Sequence, residues 1–123
     1  MSVETGLEGR IEWSVGEADL AIAQGSGDVP VLGTPRVVAL CEAASVEALR
    51  GALAPAETTV GTRIEIDHSR ATAPGAAVVA HARLVEVAGR KLCFEVELRE
   101  GDRVAARGRL WRAVVDRERF LAR

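Results

Sequence analysis

The feature that most constrains this chain is a single long helix, opened by Thr34-Pro35 and followed beyond Gly51 by strand-like runs. Thr can cap the free amides at a helix start, Pro is favoured at the first helical position, and Gly marks the exit. Val37, Val38, Cys41, Ala44, Ala48 and Leu49 recur at steps of three and four, which buries one broad face. From Thr58 onward, four runs rich in Val, Ile and Leu are separated by Ala73-Pro74-Gly75, Ala88-Gly89-Arg90 and Glu100-Gly101-Asp102. Such spacing predicts strands joined by turns, read as an antiparallel meander. Upstream, Ile11, Trp13 and Val15 alternate within Gly9 to Val15 and predict a first strand. Between it and the helix, a short helical turn is expected over Ala18 to Ala23. Gly25-Ser26-Gly27-Asp28-Val29-Pro30 then breaks regular structure.

One helix beside five antiparallel strands is an α+β arrangement in which the sheet wraps the helix. The 123 residues suit one domain spanning 1–123, too short for two independent cores. With two Phe, two Trp and no Tyr, that core must be built from Val, Leu, Ile and Ala. Each of these buries less area than an aromatic, so contacts with a partner copy would help.

Several function classes are excluded. The net charge of −2 comes from mixed signs, and no basic cluster interleaved with aromatics marks a nucleic-acid site. No stretch approaches the ~18 consecutive apolar residues of a membrane span, so a cytoplasmic location is the default expectation. Cys41 and Cys93 lie in apolar surroundings outside any Cys/His ligand spacing, which predicts buried free thiols and no metal site. Gly25-Ser26-Gly27 lacks the Gly-Lys-Ser/Thr ending of a phosphate loop, and no Gly-x-Ser-x-Gly occurs.

Polar residues on apolar rows are more informative, since burying them costs free energy unless something compensates. His68 ends the core-facing row Ile64, Ile66, His68, while Arg63, Glu65 and Asp67 point the other way. It reads either as a hydrogen-bonded structural histidine or as a catalyst. Glu42 follows Val38 by four and falls on or beside the apolar helix face, apart from Glu47 and Arg50. It is either a boundary residue reaching solvent or a base or nucleophile. Arg112 falls on the inner row of Val104, Ala106, Gly108, Leu110 and Val114. It either snorkels to a sheet edge or holds an anion. Thr34 has a structural role as helix cap, compatible with chemistry because helix N-termini stabilise negative charge.

These residues assemble into a pattern: Gly25-Ser26-Gly27-Asp28, then Thr34-Pro35-Arg36-Val37-Val38-Ala39-Leu40-Cys41-Glu42-Ala43-Ala44, and Thr59-Val60-Gly61-Thr62 with His68 seven after Gly61. It continues through Thr72-Ala73-Pro74-Gly75, Gly89-Arg90-Lys91-Leu92 and Arg112-Ala113-Val114-Val115-Asp116-Arg117. The sequence thereby resembles the fluoroacetyl-CoA thioesterase-like family over almost its whole length. The resemblance implies a hot-dog fold, a five-stranded antiparallel sheet wrapped around one long helix. It also implies hydrolysis of a small or medium acyl-CoA thioester without metal or organic cofactor. The family's catalytic Thr, Glu and His correspond to Thr34, Glu42 and His68, and its substrate-site Gly and Arg to Gly61 and Arg112. Glu42 would activate water or attack the carbonyl, His68 would move protons, and amides at the helix N-terminus would stabilise the oxyanion. A homodimer, or a dimer of dimers, is the expected assembly. Asp28-Val29-Pro30-Val31-Leu32-Gly33 lacks the phenylalanines of the fluoroacetyl enzyme's lid, and Gly108-Arg109-Leu110 stands where that enzyme has Gly-Thr-His. The acyl group is therefore left open. The alternative is a non-catalytic acyl-CoA or acyl-carrier-protein binding module of the same fold.

Overall fold

The computed structural model describes residues 2–122. Strand β1 (Glu8–Ser14) is followed by a 3-10 turn at Glu17–Asp19 and helix α1 (Thr34–Ala48). Strands β2 (Glu57–His68), β3 (Ala77–Ala88), β4 (Lys91–Glu100) and β5 (Arg103–Asp116) come next, and a short helix α2 (Arg117–Ala122) closes the order. Arg123, like Met1, lies outside the described residues.

The five strands form one antiparallel sheet in the order β1-β3-β4-β5-β2. Only β3, β4 and β5 form the meander that the turn spacing predicts. Strand β2 lies beyond β5 at the sheet edge instead of beside β3. Its connection to β3, residues 69–76, is too long for a tight hairpin, and the free side of β3 is taken by β1.

Helix α1 packs on the concave face, where Val37, Leu40, Cys41, Ala44 and Ala48 meet Leu84, Leu92, Phe94, Leu98 and Leu110. Phe94 is the largest fully buried side chain, and aliphatic residues fill the rest, as the aromatic-poor composition requires. Both cysteines are buried free thiols, and burial pushes Cys41 up to about 12, with the Glu42 charge adding to the effect. No helix among the described residues is long and apolar enough to cross a membrane.

Candidate active site

Thr34 is the first residue of α1, but it does not cap it. Gly33 holds the cap position, and its carbonyl accepts the Arg36 and Val37 amides at 3.0 and 3.1 Å. The Gln24 side chain also accepts the Arg36 N–H, at 3.1 Å. The expectation of a capping threonine therefore fails by one residue, and the Thr34 hydroxyl is released for another contact. That contact is with His68, whose Nδ1 lies 2.8 Å from Thr34 Oγ1. The same geometry narrows the role expected of the helix end. Pro35 has no N–H, and the Arg36 and Val37 amides are already bonded.

His68 ends β2 on the row shared with Ile64 and Ile66, as the alternation predicts. Its Nε2 is buried and makes no hydrogen bond among the described residues. A buried ring nitrogen left without a hydrogen bond is costly. Burial lowers the His68 pKa from its ordinary 6.5, opposed by the Arg70 backbone, so the neutral imidazole is favoured.

The second cluster forms two helical turns further along α1. Glu42 Oε2 lies 3.5 Å from Arg112 Nη1, with the Arg112 side chain 9% exposed and that of Glu42 38%. Arg112 is inward, as the β5 row predicts, and β5 keeps it there because it pairs with Gly61 across the β2 bulge. Its Nε donates to Thr59 Oγ1 at 2.9 Å and its Nη2 to the Thr59 carbonyl at 3.3 Å. Burial pulls the guanidinium below its usual value while Glu42 pulls it back up; arginine nonetheless stays cationic. Gly61 has a steric reason to be glycine, since a Cβ there would sit 2.6 Å from Glu42 Oε2.

One protomer thus brings together Thr34 with His68, and Glu42 with Gly61 and Arg112, but it does not join the two groups. Thr34 and Glu42 are eight residues apart on α1, a rise of about 12 Å at 1.5 Å per residue. Sequence reasoning misses Thr59, the residue that anchors Arg112. Its signal is its place two before Gly61 on the same strand, hence on the same face unless a bulge intervenes.

The model of the family described as FlK, the fluoroacetyl-CoA-specific thioesterase, matches residues 15–118. The chain belongs to this family. The fluoroacetyl-CoA thioesterase of Streptantibioticus cattleyicolor is 38% identical over 93 residues, covering 76% of this chain and 67% of that enzyme. A crystal structure of the fluoroacetyl-CoA thioesterase FlK superposes with a TM-score of 0.91 at 29% identity, covering 99% of this chain and 95% of that one. A thioesterase-superfamily member from Thermus thermophilus matches the fold at a TM-score of 0.90 with 22% identity, covering 98% and 89%. The hot-dog architecture of this FlK-family chain follows from both. Every element described above except β1 and all but the first two residues of α2 falls within the matched residues.

Proposed function

We propose that this chain hydrolyses a small or medium acyl-CoA thioester to the free acid and CoA, with Glu42, His68 and Thr34 as catalytic residues and Gly61 and Arg112 as substrate contacts. The observation that carries the mechanism is a carboxylate held at a core-facing site by a buried arginine, over a residue without a side chain. Glu42 takes a proton from water as its oxygen attacks the thioester carbonyl, or attacks the carbonyl itself. With the Thr34 hydroxyl donating to Nδ1, the His68 proton resides on Nε2, the nitrogen that makes no hydrogen bond among the described residues. That N–H donates a hydrogen bond to the oxyanion and then to the departing thiolate, which takes up the proton that Glu42 removed from water, or one from solvent where Glu42 is itself the nucleophile. It takes over part of the work expected of the helix-end amides.

The domain acts in the cytoplasm as a homodimer that joins the two half-sites. Strand β2 is a sheet edge of 12 residues, a row of unpaired backbone groups that favours addition of another strand. Pairing two copies antiparallel about Glu65 sets His68 of one, with its Thr34, against Thr62 and Gly61 of the other, where Glu42 waits. Mixing tests this directly. Glu42→Gln and His68→Ala chains, each inactive alone, should regain about a quarter of wild-type turnover when co-refolded. Half of the dimers are then mixed, and each of these holds one intact site in a two-fold arrangement. No recovery, from mixtures shown by light scattering to be dimeric, would place each site within one chain. A wild-type chain that binds CoA thioesters tightly but releases no CoA from any of a panel would instead be the binding module.

Gly61→Ala should lower kcat by about 10²-fold, as misplacing a reacting group by ~1 Å does. The added methyl meets the far end of a flexible side chain, so Glu42 swings off Arg112 while the melting temperature stays within a few degrees. An unchanged kcat would remove Gly61 from the site.

The pH dependence follows from the lowered His68 pKa. The unfolded chain binds a proton to His68 near 6.5, whereas the folded chain resists it until a lower pH. Neutral His68 therefore contributes stability fully above pH 6.5, and the contribution is lost as pH falls through the folded value. An NMR titration of the His68 ring should give a midpoint below 6.5; a midpoint at or above it contradicts this.

A further inference from the structure

Asp19 is a buried acid, 4% exposed, that no step of the hydrolysis uses. Its Oδ2 accepts the Trp13 indole N–H at 2.9 Å and the Gly16 amide at 2.8 Å. Its Oδ1 lies 2.8 Å from Arg36 Nε, in the first turn of α1, and the Arg36 guanidinium sits 5.7 Å over the Trp13 ring. Its main-chain carbonyl accepts the Gly33 N–H at 2.9 Å, and Ala21 N bonds Val31 O at 2.8 Å beside it. One residue therefore ties together the end of β1, the residue preceding Thr34 and the first turn of the helix. Gly33 fits closely into this clamp, since a Cβ there would meet Gln24 Oε1 at 2.8 Å and Ala21 Cα at 3.1 Å. Burial pushes the Asp19 carboxyl up, but the Gly16 amide, the Trp13 indole and Arg36 together outweigh it. The net result lies below the usual carboxylate value, and the group stays charged.

We propose that Asp19 is a positioning residue for the Thr34 hydroxyl: through Gly33 and Arg36 it sets where α1 begins, and with it the 2.8 Å contact between Thr34 and His68. The inference rests on the proposed roles of Thr34 and His68. A buried carboxylate with three partners, on a residue whose main-chain carbonyl holds a fourth, is a stiff support, and support of this kind converts into rate because a small misplacement of a reacting group is costly. Asn at position 19 can still accept from Trp13 and Gly16 through its one oxygen, but it then turns its NH2 toward Arg36 and gives up the ion pair.

The experiment is a double-mutant cycle on a CoA thioester that the wild-type protein hydrolyses, using Asp19→Asn, Thr34→Ala and the double variant, with thermal melts of each. Asp19→Asn should lower kcat by about 10²-fold with KM changed by less than about threefold. In the Thr34→Ala background it should lower kcat no further, since a residue that acts only through Thr34 has nothing left to position. A merely structural role predicts the same fractional loss in both backgrounds, and that outcome overturns the proposal, as does an unchanged kcat in Asp19→Asn. Thr34→Ala at the wild-type rate removes the role of Thr34 and this inference with it. Thr34→Ala impaired with additive losses removes this inference alone. Should Asp19→Asn not fold, Trp13→Phe, which removes one donor to the carboxylate, runs through the same cycle with the same criteria and a smaller loss.

Discussion

Glu42→Gln should lower kcat for CoA-thioester hydrolysis by about 10³-fold, within the 10²–10⁴-fold range that a positioned acid or base contributes. The substitution keeps the shape of the side chain and an oxygen for Arg112, and it removes the basicity together with the negative charge. Arg112 is not stranded by it, because Thr59 supplies two acceptors through its hydroxyl and its carbonyl. Most of the desolvation cost of the guanidinium therefore remains covered, and the melting temperature should fall by only a few degrees. That separation makes the measurement decisive: steady-state CoA release and a thermal melt on the same preparation. A folded Glu42→Gln enzyme within threefold of the wild-type kcat would eliminate Glu42 as base or nucleophile. A Glu42→Gln enzyme that loses turnover yet holds substrate with an unchanged KM places the carboxylate in the chemical step and not in binding. Arg112→Lys is the complementary probe. A compact ammonium cannot keep the fork that reaches Thr59 and Glu42 together, so KM and kcat should both worsen.

Much of the fold is legible in the sequence because it depends on short-range signals. The Thr34-Pro35 opening and the period of apolar residues locate α1, and the alternation Ile64, Ile66, His68 gives the correct face of β2. The inner row of β5 likewise places Arg112 in the interior. What fails depends on contacts distant in sequence. No periodicity states that β2 pairs with β5, because strand order is decided by which edges other segments already cover. Thr34 reads as a cap, yet Gly33, which carries no capping side chain, can occupy that position when Gln24 satisfies an orphan amide instead. The Trp13, Asp19 and Arg36 cluster is invisible for the same reason. Asp19 and Arg36 look like ordinary surface residues and Trp13 like one more apolar residue of its strand until three segments meet. The candidate site shares this division. Local pattern flags Glu42, His68 and Arg112 as misplaced polar groups, whereas the Thr34–His68 and Glu42–Arg112 contacts and the anchoring Thr59 need the folded chain.

Gly9→Ala should be strongly destabilising, costing about 3 kcal/mol, the upper part of the range for overpacking a close-packed interior. Strand β1 passes so near α1 that a Cβ on Gly9 would lie 2.0 Å from the Ala44 carbonyl oxygen and 2.4 Å from the Ala48 nitrogen. Both are helix backbone atoms, which cannot rotate aside as the Glu42 carboxylate can at Gly61. Either β1 lifts away from β3 or α1 shifts bodily. For a domain of this size the cost corresponds to a melting temperature lower by roughly 10 °C or more. Gly51→Ala is the control. Gly51 has φ of +79°, and a Cβ there would meet nothing within 4 Å, so the loss should be only about 1 kcal/mol of backbone strain. A Gly9→Ala melt equal to that of wild type would show that β1 and α1 do not approach this closely in solution. The kinetic consequence distinguishes the two ways of relieving the clash. If β1 lifts, kcat per folded molecule falls only as far as Trp13 loosens the Asp19 clamp, because β1 carries none of the proposed catalytic groups. If α1 shifts, kcat falls with stability, because Ala44 lies two residues from Glu42 on the same helix. The depth at which Glu42 meets Arg112 would then depend on the absence of one methyl group on the far side of the helix.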